Sequence, residues 1–224
     1  MKIAFIAAVY NEEKEILDLL YSVCPYVQGL FVVDDGSTDN TVGMLGGYRL
    51  YPPLNRDTGF PTSLQFETIE HTGLPETVKA RALKMVPEDY EWVLMLDADE
   101  RFITPLQEII DWIKSPVSEE VDYVYFDQFE VIDGKHVRSF QKCKLFKRNA
   151  IKFPLNDIHK DDELIGNGAY FGWQVIHRKT TNKQIQREFE YLQTYDKLLE
   201  DGHIDEGRRD WLRNLHHYVR EPHG

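Results

Sequence analysis

Cysteine is scarce in this chain. Cys24 and Cys143 are its only two, and they lie far apart. They provide neither a disulfide framework nor the paired thiols of a zinc site, so a reducing cytoplasm is the expected compartment. Long apolar runs are missing as well. No stretch approaches the ~20 residues of a membrane span, and Ile3 to Val9 reads as a first core strand rather than a signal segment, because Tyr10-Asn11-Glu12-Glu13 follows at once. Positive charge is in deficit, with 26 Lys and Arg against 38 Asp and Glu and a net charge of −12. Such a chain is poorly suited to holding duplex nucleic acid or an anionic membrane by charge alone. A phosphorylated ligand stays within reach if a metal or local basic residues offset the repulsion. Internal repeats and low-complexity segments are also absent.

What the chain does have is 42% apolar residues, enough for a core, in an order that alternates buried strands with helices. Ile3–Val9, Leu30–Val33 and Trp92–Leu96 are continuous apolar runs of the kind that form strands covered on both faces. Between them, Asn11 offers an N-cap for a helix whose first turn carries Glu12 and Glu13, and whose apolar face is Ile16, Leu17, Leu20 and Val23. Cys24-Pro25 ends it. A short helix is expected from about Asn40, a loop or insertion over residues 46–63, a short strand over 64–70, and a helix from Gly73 to about Val86 with Pro75 in its first turn. Another helix follows over residues 104–114. This rhythm is that of a nucleotide-binding α/β sheet. After Ser115 the pattern turns antiparallel. Val121–Ile132 and Lys135–Lys147 flank Asp133-Gly134, a two-residue hairpin signal. A strand at 169–176, an amphipathic helix over 184–200 and a last short helix complete the chain.

The run Trp92-Val93-Leu94-Met95-Leu96-Asp97-Ala98-Asp99-Glu100 organises the rest. Two acids at the carboxyl end of a buried strand lie where open α/β sheets bind ligands. As i and i+2 on a strand, Asp97 and Asp99 point to one side, with small Ala98 opposite. They suit a hard divalent cation that completes its shell with phosphate oxygens and water. Asp34 and Asp35 end the second strand in Asp34-Asp35-Gly36-Ser37-Thr38-Asp39-Asn40-Thr41, where Asp34 has turn chemistry as its alternative role.

Together, Val9-Tyr10-Asn11-Glu12-Glu13, Val32-Val33-Asp34-Asp35-Gly36-Ser37-Thr38-Asp39-Asn40-Thr41 and Leu96-Asp97-Ala98-Asp99-Glu100 resemble the family 2 glycosyltransferases of the GT-A fold. The resemblance covers roughly the first half of the chain, and more loosely Lys144-Leu145-Phe146-Lys147 and Ile158-His159. It implies a Rossmann-like mixed sheet with helices on both faces. It further implies one catalytic domain over residues 1–180, with a donor half to about 115, an antiparallel acceptor half from about 116, and a helical extension over 181–224. The implied activity is transfer of a sugar from a nucleoside diphosphate sugar to an acceptor hydroxyl, with Mn²⁺ or Mg²⁺ and inversion at the anomeric carbon.

Carried over by motif, Val9, Tyr10, Glu12, Asp35, Arg81, Asp97 and Ala98 fall at the nucleotide sugar. Asp99 and Asp97, with His177 as a third ligand, fall at the metal. Arg81 sits in Lys79-Ala80-Arg81-Ala82, where the family often has Asn after the Arg. The 62 residues from Asp35 to Asp97 exceed the family's usual spacing, and the 46–63 segment accounts for the excess. The general base falls in Asp157-Ile158-His159-Lys160-Asp161-Asp162-Glu163, with Asp161 first and Asp157 second. Lys160 stands where the family's Glu would be. That substitution keeps open a non-catalytic nucleotide-sugar-binding or scaffold protein of the same fold. A nucleotidyltransferase lacks its glycine-rich, basic triphosphate loop here. Acidic runs like 157–163 are commonly just solvated, Tyr10 and Arg81 have ordinary packing and surface roles as alternatives, and His177 has a structural hydrogen bond as its other role.

Overall fold

The computed structural model describes residues 1–56, 58–59, 61–155 and 162–217, with side chains to residue 211. Eight strands form one sheet in the order β3-β2-β1-β4-β7-β6-β10-β5. Its first half is parallel: β1 (Ile3–Val9) lies between β2 (Gly29–Asp34) and β4 (Trp92–Met95), and β3 (Ser63–Thr68) is the outer strand. Alternate residues of β1 serve the two faces, as a pleated strand requires. Phe5, Ala7 and Val9 enter one core with α1 (Ile16–Val23), α2 (Thr41–Leu50) and α4 (Leu106–Ile113), while Ala4 and Ile6 enter another with α3 (Pro75–Met85). Ile16, Leu19, Leu20 and Val23 of α1 are fully buried, each contributing roughly 2 kcal/mol of apolar burial.

The second half hangs on β4. β7 (Lys135–Lys147) runs antiparallel to β4 and to β6 (Tyr123–Ile132), joined by a turn with Asp133 and Gly134 both at positive φ, as a type I′ hairpin requires. The expected antiparallel character has one exception in this half. β10 (Gly168–Lys179) runs parallel to β6, and β5 (Glu100–Phe102) pairs antiparallel with its end, His177 opposite Glu100. A two-stranded piece, β8 (Ile151–Lys152) with β9 (Glu163–Leu164), lies beside the sheet. α5 (Thr181–Glu200) and α6 (Glu206–His217) follow. α5 does not stand apart: Tyr195 and Leu198 pack with Leu74 at the head of α3, and a Cβ on Gly73 would meet Thr194 Oγ1 at 2.4 Å. No helix among the described residues is long and apolar enough to cross a membrane.

Several local expectations change. Asn11 caps no helix. It sits at φ 54°, and its side-chain oxygen accepts the Thr38 and Asp39 N–H groups, so it ties two loops together. α1 starts only at Ile16, which puts Glu12 and Glu13 outside it. The 46–63 segment is helical through Leu50. Of its other described residues, Asn55 donates to Val27 O and Thr62 to Cys24 O. Asp97 and Asp99 do not lie on a strand. β4 ends at Met95, and both acids occupy the turn into β5, a strand too short and too charged to show in the hydrophobic pattern.

Candidate active site

The strand order reverses between β2 and β4 on either side of β1, and a cavity of about 510 Å³ opens at the carboxyl ends of these strands. Val9, Tyr10, Glu12, Asp35, Asp97, Ala98 and His177 all line it.

At one end, Tyr10 stacks on His71, with ring centroids 4.1 Å apart. Asp35 organises this end. Its carboxylate accepts the Thr72 N–H and hydroxyl at 2.8 and 2.9 Å and the Gly73 N–H at 3.0 Å, and His71 Nδ1 lies 2.9 Å from its carbonyl. Asp34 does turn work, accepting from the Ser37 N–H and hydroxyl. Gly36, at φ 73°, lets the chain pass against His71, where a Cβ would sit 2.8 Å from its backbone nitrogen.

At the other end, the two acids of the turn have different partners. Asp97 meets Lys79 at 3.2 Å. Burial would push its carboxyl up, but Lys79, with Lys144 and His177 behind it, holds it well below the usual range. Asp99 is nearly fully buried and meets His177 Nε2 at 3.0 Å and Lys183 at 3.1 Å, with Arg187 at 3.6 Å. There too burial is outweighed, chiefly by Arg187 and His177, and the carboxyl stays ionised. Glu12 enters this cluster, bound by Lys183 at 2.7 Å and Arg187 at 2.6 Å. Glu100, fully buried beneath it, accepts the Asp97 N–H and pairs with Lys144 at 2.6 Å.

Asp99 Oδ1 and His177 Nε2 fit a metal. Both are buried, they face each other 3.0 Å apart, and neither has a partner other than the other. Ligands at about 2.1 Å on adjacent octahedral vertices lie about 3.0 Å apart, and one carboxylate and one imidazole suffice for an ion that takes phosphate and water as its other ligands. The Gln128 amide lies 3.0 Å from His177 Nδ1, and its oxygen also lacks a partner. It is the amide nitrogen that the structure places there; turned over, the amide would present its oxygen instead, hold the proton on Nδ1 and leave His177 Nε2 free to ligate. Asp97 belongs to Lys79 instead, and no three His, Cys, Asp or Glu side chains gather as a metal cluster among the described residues.

Arg81 is not part of this cavity. It is exposed and forks onto Glu67. Two residues apart on a helix project about 200° apart, so Arg81 and Lys79 cannot face the same way. Lys79 takes the inner side. Asp157 and Asp161 lie outside the described residues, and neighbouring Asp162 lines the cavity. The sequence reading missed Lys79, His71, Lys183 and Arg187. The last two had a usable signal: they are i, i+4 on α5, and Glu190 and Thr194 continue the same polar stripe into the cavity.

A parallel β3-β2-β1-β4 block extended by an antiparallel hairpin, with an acidic turn at the switch point, is the GT-A glycosyltransferase architecture, and solved structures agree. Residues 1–349 of S. aureus TarS superpose with a TM-score of 0.55 at 19% identity, over 99% of this chain and 73% of that one. The longer S. aureus TarS structure gives 0.53 at 18% identity, over 99% of this chain and only 44% of that one. A mycobacterial protein gives 0.50 at 17% identity, over 92% of this chain and 76% of that one. Residues 4–161, more than half of the chain, match the family described as glycosyl transferase family 2. The chain belongs to that family and is a glycosyltransferase. No curated protein sequence matches it.

Proposed function

We propose that this chain moves a sugar from a nucleoside diphosphate sugar to an acceptor hydroxyl with inversion, and that it does so with Mn²⁺ or Mg²⁺ held by Asp99 and His177. The observation that carries the reading is the buried Asp99 Oδ1–His177 Nε2 pair, which has no other partner and whose histidine lines the cavity. The bound ion supplies Lewis-acid stabilisation of the charge that develops on the departing diphosphate. The rest falls to the chain. Tyr10 and Asp35 form the nucleobase end, with Asp35 acting as much through the 71–73 loop it fixes as by direct contact. Asp97 takes the ribose, a role supported by the Lys79 ammonium that orients it. Lys183 and Arg187 counter the charge of Glu12 and Asp99. A carboxylate of the 157–162 stretch, Asp161 or Asp157, takes the acceptor proton.

Thermal shift with UDP, GDP and ADP, each with and without Mn²⁺, tests the donor site. One nucleotide is expected to stabilise the protein, more with Mn²⁺, and Asp99→Asn removes the metal-dependent part. Since the ion is worth several kcal/mol in the transition state, turnover falls roughly 10²–10⁴-fold in that variant. If no nucleotide shifts the melting temperature in either condition, the donor-site reading is wrong.

A further inference from the structure

Across the cavity from the acidic turn, one wall has the opposite charge. Arg138, Phe140 and Lys142 alternate along β7 and all line the cavity. Glu130 of β6 lies directly opposite Arg138 in the ladder, and Lys179 comes from β10. Glu130 is almost completely buried and is the single carboxylate shared by Arg138 and Lys179, the latter at 2.6 Å. Lys142 has no ion-pair partner among the described residues. Three cations against Glu130, with Asp162 near the neighbouring Cys143 as a second acid, still leave this wall positive in a chain whose net charge is −12. Elsewhere in the cavity the balance differs: Asp97 has Lys79, Asp99 and Glu12 share Lys183 and Arg187, and Glu100 has Lys144.

We infer that the acceptor carries an anionic group, a phosphate or a carboxylate, received by Lys142 together with Arg138 and Lys179. The inference rests on the glycosyltransferase reading above and names the acceptor's chemical class. A neutral hydroxyl compound has no use for an unpaired lysine in a concave site. An anion does, since charge on the walls of a cleft concentrates an oppositely charged ligand. Arg138 and Lys142 stand four residues apart on one face of β7, about 13 Å between backbones, a span two long side chains can close on one oxyanion, the first with a planar fork and the second with a point charge. The donor diphosphate does not account for them. Its anchor is the Asp99–His177 end, and the ladder places His177, Glu130 and Arg138 in a row on three successive strands, so Arg138 lies two strands away, roughly 10 Å.

Calorimetry on the full chain saturated with Mn²⁺ and the nucleotide that stabilises it provides the test, with sn-glycerol 3-phosphate, glycerate and glycerol as probes. Either anion is expected to bind at least tenfold more tightly than glycerol, and the stronger of the two identifies the group. Lys142→Gln weakens that binding about tenfold, Lys142→Glu abolishes it, and Lys142→Arg retains it. All three keep the wild-type melting temperature and nucleotide affinity, because Lys142 is exposed and unpaired. If neither anion binds better than glycerol, or if the Lys142 variants lose nucleotide affinity in parallel, the inference is overturned. Failure of the nucleotide itself to bind shows up separately and strikes the donor reading instead.

Discussion

The two sides of the cavity treat charge in opposite ways. Around the acidic turn, four carboxylates are already matched to cations of the chain: Asp97 to Lys79, Glu100 to Lys144, Glu12 and Asp99 to Lys183 and Arg187. On the β6–β7–β10 side, Glu130 is outnumbered. The difference follows from burial. Glu12, Asp99 and Glu100 are each at most 3% exposed, and buried carboxylates without partners are strongly destabilising. Lys142 and Arg138 reach solvent and need no partner to stay charged. The metal side is therefore built to be stable before any ligand arrives. A metal taken by Asp99 Oδ1, as proposed, would add to an existing set of cations, with Lys183 and Arg187 remaining on Oδ2.

The largest effect that probes this contrast is on α5. Arg187→Met leaves Glu12 with Lys183 alone and Asp99 with Lys183 and His177. Removing one partner of a buried ion pair costs roughly 3–5 kcal/mol. The lower end applies because Lys183 remains, and at 2–4 °C per kcal/mol for a chain of this size the melting temperature falls by about 10 °C. Mn²⁺ recovers part of that loss, since it returns positive charge to Asp99. A melting temperature within 2 °C of wild type would show that the acids do not depend on α5, and the contrast between the two walls would lose its basis.

The parallel half of the fold was legible because its strands are continuous apolar runs, and buried parallel strands have few other readings. The ends of these strands at Val9 and Asp34 were legible for the same reason, since there a motif and a break in hydrophobicity coincide, whereas the Asp97–Asp99 acids were read as strand and lie in the turn that follows β4. β5 was not legible, because Glu100-Arg101-Phe102 is held as a strand by its ladder to His177 and Val175, not by its own residues. The cations escaped notice on different grounds. Lys183 and Arg187 are about 85 residues from Asp99 in sequence and 170 from Glu12, and nothing local couples them. Lys79 was passed over because the family motif drew attention to Arg81.

Lys79 gives the next largest effect. Its Nζ lies 3.2 Å from Asp97, and Asp97 with Glu76 pushes its ammonium well above the usual lysine range despite burial. Lys79→Met removes the group that orients Asp97 without touching Asp99 or His177. Losing a partner of this kind costs roughly 10–100-fold in ligand affinity, and the lower end is expected for nucleotide binding by calorimetry, with the Mn²⁺ enhancement intact. Unchanged nucleotide affinity would mean that Asp97 needs no orienting cation and that the pairing on this side is purely structural.

Arg81 gives the smallest effect, and it separates the geometry from the family motif. The motif places Arg81 at the nucleotide. In the structure its guanidinium is exposed on α3 and engaged with Glu67 of β3, outside the cavity. A solvent-exposed pair of this type contributes little, because water screens it and two long side chains must be ordered to form it. Arg81→Ala is therefore expected to leave both nucleotide affinity and melting temperature unchanged, in the same assays where Lys79→Met reduces affinity. Equal losses from the two variants would require α3 to turn by more than half a revolution on binding. That would withdraw Val78 and Ala82 from the core that now fixes the helix. A buried face opposes such a rotation, so a null result at Arg81 is the outcome the packing demands.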